Sequence, residues 1–536
     1  VGTAPPGTCG EAPQVCFEGF DELRIALTAM MTRVRLATAG GSSLADLEEA
    51  VHQDLLTLGA AAVQDGLNAL SAAEVRRHDV TGPEGASRPW ADPGRTRTVA
   101  TLFGDVTFTR IAYRGPGVAD VFPADEALDL PAGPCFSRAL EARTAYLEAL
   151  LPHRQVRDLL EWETGVTIHT RQQREIATRA AADTATFAQT RTVPEPADVP
   201  EPAEADGVDR SATGAGGALA QAGRVLVATF DGKGVVMRRE ALRTAERPDP
   251  GTVRLGAGLP GHQLSGHRPG RKRLAELSCV YDVRADPRTA DDIIQALTCR
   301  SAASTKAAAA RPTARARWLQ ASLTATIDQV VADGFAQADR RDPGHHWSWL
   351  VLVDGNKSQI DAAGAQAAAR GIHVPILIDL LHVLGYLGDA ANGTFNPGAP
   401  AAQSWFLTQA RAVLEGHADQ VAAEIRQRAD RFRCTGTGRT KVLAAATYLE
   451  NHLDHLDYPT ALAAGWPIAT GVIEGACKNL VCDRMDVSGA RWGLDGAGHI
   501  LDLRALVITD SFKEYWGHHL AQQHARQYPQ HTPAAA

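Results

Sequence analysis

At 536 residues the chain is too long for one ordinary core, and two to four domains are expected. Hydrophobic residues at 44% and charged residues at 22% give the profile of a soluble globular protein. The formal net charge of -8 excludes a protein that coats nucleic acid through overall positive charge, but not one with a local basic groove. The eight cysteines are scattered without C-x-x-C spacing; the closest pair, Cys477 and Cys482, lies five apart on an expected helix. A reduced, cytoplasmic protein without disulfide framework or zinc finger is expected. No charged-then-apolar leader pattern is seen, and no apolar run reaches membrane-spanning length.

In chain order, residues 1–95 read as a helical region, with apolar residues at helical spacing from Phe20 to Ala37. A second helix is expected from Ser43 to Arg77, opened by Ser42 or Ser43 as cap. Thr96 to Tyr113 alternates β-branched and polar residues around Gly104-Asp105 and predicts a β-hairpin. Three helical stretches follow: Ser137–Leu151, His153–Thr164 and Thr170–Ala188, the last two separated by Gly165. Helix, glycine turn and helix is the layout of a helix-turn-helix, with Thr170 to Arg179 as candidate recognition helix. Thr170, Arg171, Gln172, Gln173 and Arg174 would then face bases or phosphates. Any two helices joined by glycine share this layout, so a purely structural pair is the competing reading. Residues 96–191 thus form a second region, and Thr192 to Gly217, rich in Pro, Glu, Ala and Gly, reads as a linker.

Beyond the linker the pattern changes to buried strands. Arg224–Val236 is an apolar strand with an aspartate at its end, and Arg273–Val283 is another. Trp318–Ala338 reads as an amphipathic helix, Trp347–Asp354 as a strand ending in aspartate, Ala362–Arg370 as a short helix and Val374–Leu381 as a strand. This order predicts an α/β fold, a mixed sheet with helices on both faces. A helical block from Ala401 to Leu462 comes next, then a helix Gly471–Met485 carrying Glu474, a helix Gly496–Tyr515 and a polar tail, 516–536.

Two apolar strands end in Asp-Gly, at Asp231-Gly232 and Asp354-Gly355. Strand ends are where ligands collect in α/β sheets, so two carboxylates there would make an oxygen-rich site suited to Mg²⁺. With Glu474 they would make three acidic ligands, enough for two ions roughly 3.5–4 Å apart. Taken singly, each Asp-Gly is also an ordinary turn.

The stretches Asp231-Gly-Lys-Gly-Val-Val-Met, Val353-Asp354-Gly-Asn, Asp379-Leu-Leu-His382-Val-Leu-Gly-Tyr386 and Gly471-Val-Ile-Glu474-Gly-Ala-Cys-Lys478, continuing through Arg484-Met485 to Ser488-Gly-Ala-Arg491-Trp492, are specific in combination. They resemble the bacterial insertion-sequence transposases of the DDE superfamily, in particular the Kra-type family, over about residues 224–515 and more weakly over 96–190. The resemblance implies a ribonuclease-H-like fold in which Asp231, Asp354 and Glu474 hold Mg²⁺ or Mn²⁺. It also implies a helical insertion before the last acidic residue. The catalytic core would then comprise 218–383 and 466–515, with 384–465 inserted. Asp379 and His382 match an Asp-x-x-His element of related superfamilies, with a supporting role; as a bare pair they also fit a structural hydrogen bond.

Lys478, one turn after Glu474, would contact the scissile phosphate or pair with the glutamate. Arg491 and Trp492 would hold a phosphate and stack on an unpaired base, with Trp492 as core the competing reading. The basic run containing Arg268, Arg271, Lys272 and Arg273 is the best local phosphate-binding candidate, with solvated loop charge as the alternative. Many relatives carry a cysteine knuckle after the hairpin; Tyr113 to Asp120 has no cysteine, so zinc is not expected there. The pairs His345/His346, His452/His455 and His518/His519 read as surface or core histidines. The expected partner is double-stranded DNA (terminal repeats and target), bound by at least a dimer. The competing functions are a domesticated or inactive DNA-binding relative and a ribonuclease-H-like nuclease without strand transfer.

Overall fold

The structure is a computed structural model, and it describes residues 19–131, 136–191, 223–242, 272–298, 314–396, 398–432, 436–487 and 489–528. The expected linker, 192–217, lies outside the described residues. The chain forms two compact units: Val1–Asp183 with Glu514–Ala536, and Thr184–Lys513. Among the described residues no helix is long and apolar enough to cross a membrane.

In the first unit, helices Asp21–Ala39 and Leu44–Ala73 pair antiparallel, Ser43 capping the second through Asp46 N–H. Two buried aspartates pin them: Asp65 accepts from Leu23 N–H and Asp54 from Arg33. Strands β1 (Trp90–Thr101), β2 (Gly104–Gly115) and β3 (Val118–Val121) form an antiparallel sheet, so the expected hairpin extends past both its predicted ends. Val99, Val106, Phe108 and Leu130 make its core with Val63 and Leu67 from the long helix. Gln64 from that helix binds both the N–H and the C=O of Thr107, substituting for a neighbouring strand.

Helices Arg138–Leu150, His153–Thr164 and Thr170–Ala180 follow, with Gly165 left-handed at φ 68° where the middle one ends. The third stops at Ala180, short of the expected Ala188; a separate helix, Thr184–Thr190, begins the second unit. Gln173 is fully buried and donates to Ile168 C=O, so it is a packing residue and not a groove reader. Arg171 and Arg174 are exposed, Arg171 pairing with Glu175.

A helix Phe512–Gln527 stands where a polar tail was expected from residue 516. It returns to the first unit through Asp183, a buried carboxylate that binds both terminal nitrogens of Arg526 (2.6 and 2.8 Å) and His519 Nδ1 (2.7 Å). Burial raises the Asp183 carboxyl, but Arg526 and His519 outweigh it and hold it below its ordinary 3.8. Burial also holds His519 below its ordinary 6.5, against the pull of Asp183. Both groups therefore take up protons more readily when unfolded, and their contribution to stability is present at neutral pH and lost on acidification. The His519 part fades as pH falls below 6.5, the Asp183 part below 3.8. The thermal midpoint is expected to drop between pH 7.5 and 5.5, and less so in His519→Gln; equal drops in both proteins would contradict this.

The second unit is built on a five-stranded sheet of order β6-β5-β4-β7-β8, with β4 Arg224–Val236, β5 Lys272–Arg284, β6 Arg315–Ser322, β7 Ser348–Val353 and β8 Ile376–Ile378. β4, β5 and β6 run antiparallel, whereas β7 and β8 lie parallel to β4, so the sheet is mixed and the fold α/β. Near-continuous burial along Val225–Phe230 and Trp349–Val353 matches strands covered on both faces. Helix Ile327–Arg341 packs on β4 and β5, and helix Leu494–Ile508 on β6.

Several expectations for this unit need correction. Trp318–Ser322 is strand, not helix, because it pairs with Glu276–Val280 of β5; the helix starts only at Ile327, behind a capping box of Thr326 and Gln329. The expected strand Val374–Leu381 is cut to Ile376–Ile378, since Asp379 caps the helix Leu380–Thr394. The expected block from Ala401 is four helices, Pro400–Leu414, Ala418–Arg431, Gly436–Asn451 and Tyr458–Ala463.

Candidate metal centre

The parallel pairing of β4 with β7 ends at Thr229 opposite Leu352. Asp231 and Asp354 each lie two residues further on, so the register sets them side by side. Their backbones differ from the expectation of two strand ends. Asp354 does follow the last residue of β7, but Asp231 is inside β4, which continues to Val236 on its pairing with β5 alone. Both side chains are half-buried.

Asp231 Oδ1 accepts the Gly232 N–H at 2.6 Å, and Oδ2 accepts the Cys477 thiol at 2.8 Å. Burial, and then Asp231 itself, push the Cys477 thiol up, which keeps it a donor. Asp354 Oδ1 accepts Asn356 N–H at 2.9 Å. Gly355 is left-handed at φ 96°, with Tyr448 and His452 packed against its Cα. The Tyr448 hydroxyl donates to Asp354 C=O (2.7 Å), its ring stacks on Tyr386 at 4.0 Å, and His452 Nε2 lies 3.0 Å from Gly355 C=O. The helices before Glu474 thus buttress the Asp354 turn.

Asp379 is fully buried, and both its oxygens are engaged twice. Oδ1 accepts from Leu381 N–H (2.9 Å) and Thr470 N–H (3.1 Å); Oδ2 accepts from His382 Nδ1 (3.1 Å) and the Thr470 hydroxyl. Burial would raise this carboxyl, but His382 and Thr470 outweigh burial and hold it below its ordinary value. A carboxylate has about four acceptor positions, and all are taken here. Its own N–H binds Val353 C=O at 2.8 Å, directly before Asp354.

Thr470 C=O in turn receives the N–H groups of Ile473 and Glu474, opening the helix Gly471–Ala476. Glu474 is exposed in its first turn. The continuous helix expected to Met485 widens into a π-helical turn at Cys477–Cys482, which sits against β4. Asp379, His382 and Glu474 have ligand-type atoms within 4.8 Å of one another. The hydrogen bond that His382 donates to Asp379 raises the His382 pKa despite burial, and the charges of Asp379, Asp354 and Glu474 add to it. Asp231 and Asp354 both stand outside this tightest cluster, Asp231 joined to it by the thiol of the Glu474 helix.

The basic candidates divide. Lys272, Lys478 and Arg491 are exposed. Arg273 is engaged by protein carbonyls, Leu323 at 2.6 Å and Ala241 at 3.2 Å. Trp492 bridges to Met237, donates its ring N–H to Met485 C=O (3.1 Å) and carries the Arg484 guanidinium 4.8 Å over its ring. It clasps the end of β4. Arg268 and Arg271 lie outside the described residues. Sequence reading missed Thr470, Tyr448, His452 and Cys477. Their partners Asp379, Asp354, Gly355 and Asp231 lie 91 to 246 positions away, beyond any local pattern.

No family model matches the chain, and a search of curated proteins finds no match.

Gly355→Ala places a side chain in a left-handed position against the Tyr448 ring, and is expected to cost about 1–3 kcal/mol. An unchanged denaturant midpoint would contradict the packing described.

Proposed function

We propose that this chain is a DDE transposase of the bacterial insertion-sequence type, resembling the Kra-type family. In this reading it catalyses metal-dependent cleavage and strand transfer at insertion-sequence ends. The observation that carries the reading is the gathering of Glu474 with His382 and Asp379 within 4.8 Å, with Asp231 and Asp354 set side by side by strand register. A sheet of three antiparallel strands followed by two parallel ones, with carboxylates after the last β4–β7 pair, supports a ribonuclease-H-like core.

The donor set fits Mg²⁺ or Mn²⁺. Among the described residues Glu474 and Asp354 Oδ2 take no protein hydrogen bond, and the oxygens of Asp231 each accept only one, so lone pairs remain. Divalent ions bound there supply Lewis-acid activation of a water or 3′-hydroxyl and stabilisation of the leaving oxygen. Asp231, Asp354 and Glu474 would hold them. Exposed Lys272, Lys478 and Arg491, with Arg171 and Arg174 of the first unit, would meet the phosphates of double-stranded DNA, giving local attraction despite the net charge of -8. Pairing two DNA ends calls for at least a dimer, acting in the cytoplasm on the nucleoid.

Purified protein with paired terminal inverted repeats and Mg²⁺ is expected to yield cleaved and joined DNA. Asp231→Ala, Asp354→Ala and Glu474→Ala should each lower the rate by about 10²-fold or more. Specific binding without cleavage would instead mark a domesticated relative, and cleavage without joining a nuclease.

A further inference from the structure

We infer that His382 is a nitrogen ligand of the divalent ion that Asp354 and Glu474 are proposed to hold, and that Asp379 is the outer carboxylate that orients it. This rests on the reading of the site given above and adds a donor type and a metal preference to it.

The argument begins with proton positions. Each acceptor position of Asp379 faces a donor, two backbone N–H groups and the Thr470 hydroxyl among them, so it accepts and His382 Nδ1 carries the proton of their 3.1 Å bond. In the neutral ring this leaves Nε2 as the lone-pair nitrogen, and among the described residues it has no protein partner. A carboxylate accepting from one ring nitrogen while the other faces an ion is the usual way a protein fixes the tautomer and orientation of a metal-binding histidine. The surroundings agree. The His382 side chain is 41% exposed, so an ion can reach it, whereas that of Asp379 is fully buried.

Asp379 itself is a poor ligand, although it stands within the same cluster. Each of its four acceptor positions holds a donor, and coordination would cost bonds that cap one helix and open another. Glu474, whose carboxylate lies within 4.8 Å of a His382 ring nitrogen, and Asp354, whose Oδ2 takes no protein hydrogen bond among the described residues, are not so committed. The inner set is therefore carboxylate, carboxylate and imidazole. Replacing an oxygen donor by imidazole moves a site away from Mg²⁺ and toward borderline transition ions such as Mn²⁺ and Co²⁺.

The test uses the full-length protein and Mn²⁺ alone. Calorimetric titration gives affinity, and pulsed electron paramagnetic resonance reads coupling of bound Mn²⁺ to a ¹⁴N nucleus. The wild type is expected to bind Mn²⁺ more tightly than Mg²⁺ and to show that coupling. His382→Ala should abolish the coupling, weaken Mn²⁺ binding by about 10–100-fold and narrow the gap between the ions, with circular dichroism unchanged. Asp379→Asn should weaken binding in the same direction; because both variants touch the buried Asp379 network, the nitrogen coupling of Mn²⁺ in the wild type is the deciding readout. Mn²⁺ bound without nitrogen coupling, at wild-type affinity in His382→Ala yet lost in Asp354→Ala and Glu474→Ala, would overturn the histidine and leave the carboxylate site standing. Mn²⁺ affinity unchanged in Asp354→Ala and Glu474→Ala, or no binding at all, would remove the site and the histidine together.

Discussion

A buried carboxylate is costly unless donors replace the water it has lost, and Asp379 is such a group. Its four donors come from two places in the chain: the first turn of the helix it caps, through Leu381 N–H and the His382 side chain, and the segment at Thr470. Its backbone N–H adds a third tie, to Val353 beside Asp354. None of these partners can move far without leaving the charge unsatisfied. The same aspartate thus determines where β8 ends, which way His382 turns and where the Glu474 helix begins. Breaking one partner of a buried charged network typically costs several kcal/mol, which makes this a rigid foundation for a site.

The sheet supplies the other half of the geometry. β4 is long because β5 pairs with it along its whole length, while β7 stops at Val353. The mismatch opens a notch at the edge of the parallel pair, and Asp231 and Asp354 border it. On one side the notch is closed by the π-helical turn that brings Cys477 to Asp231; on the other, Tyr448 and His452 close over the Asp354-Gly355 turn. The helical block before Glu474, expected only as an insertion, therefore works structurally at the site. Its tyrosine and histidine press on a glycine that adopts a backbone conformation side chains avoid.

Charge is distributed to match. The acidic residues nearest the notch are partly solvated, which allows them to attract a cation, whereas Asp183 and Asp379 are buried and wholly paired. Arg273 and Trp492, attractive as DNA contacts when read from sequence, are occupied in holding β4 and its neighbours. Lys478 and Arg491 are exposed.

The linear chain by itself determined most of what is local. Apolar runs identified β4, β5 and β7, Gly165 marked the break between two helices, and Asp-Gly after apolar runs singled out Asp231 and Asp354, since these patterns reflect backbone period and turn chemistry within a few residues; Asp379 and His382 were singled out by the resemblance alone. The helix start at Thr326 was also legible, from its capping box with Gln329, but the periodicity of Trp318–Ala338 obscured it. Tertiary structure alone decided that Trp318–Ser322 pairs as a strand, that Gln173 faces inward and that Phe512–Gln527 folds back to Asp183. It alone decided, too, that Thr470, 91 positions away, completes the shell of Asp379. Such choices depend on which distant groups satisfy a buried strand edge or charge, and no window of sequence contains both partners.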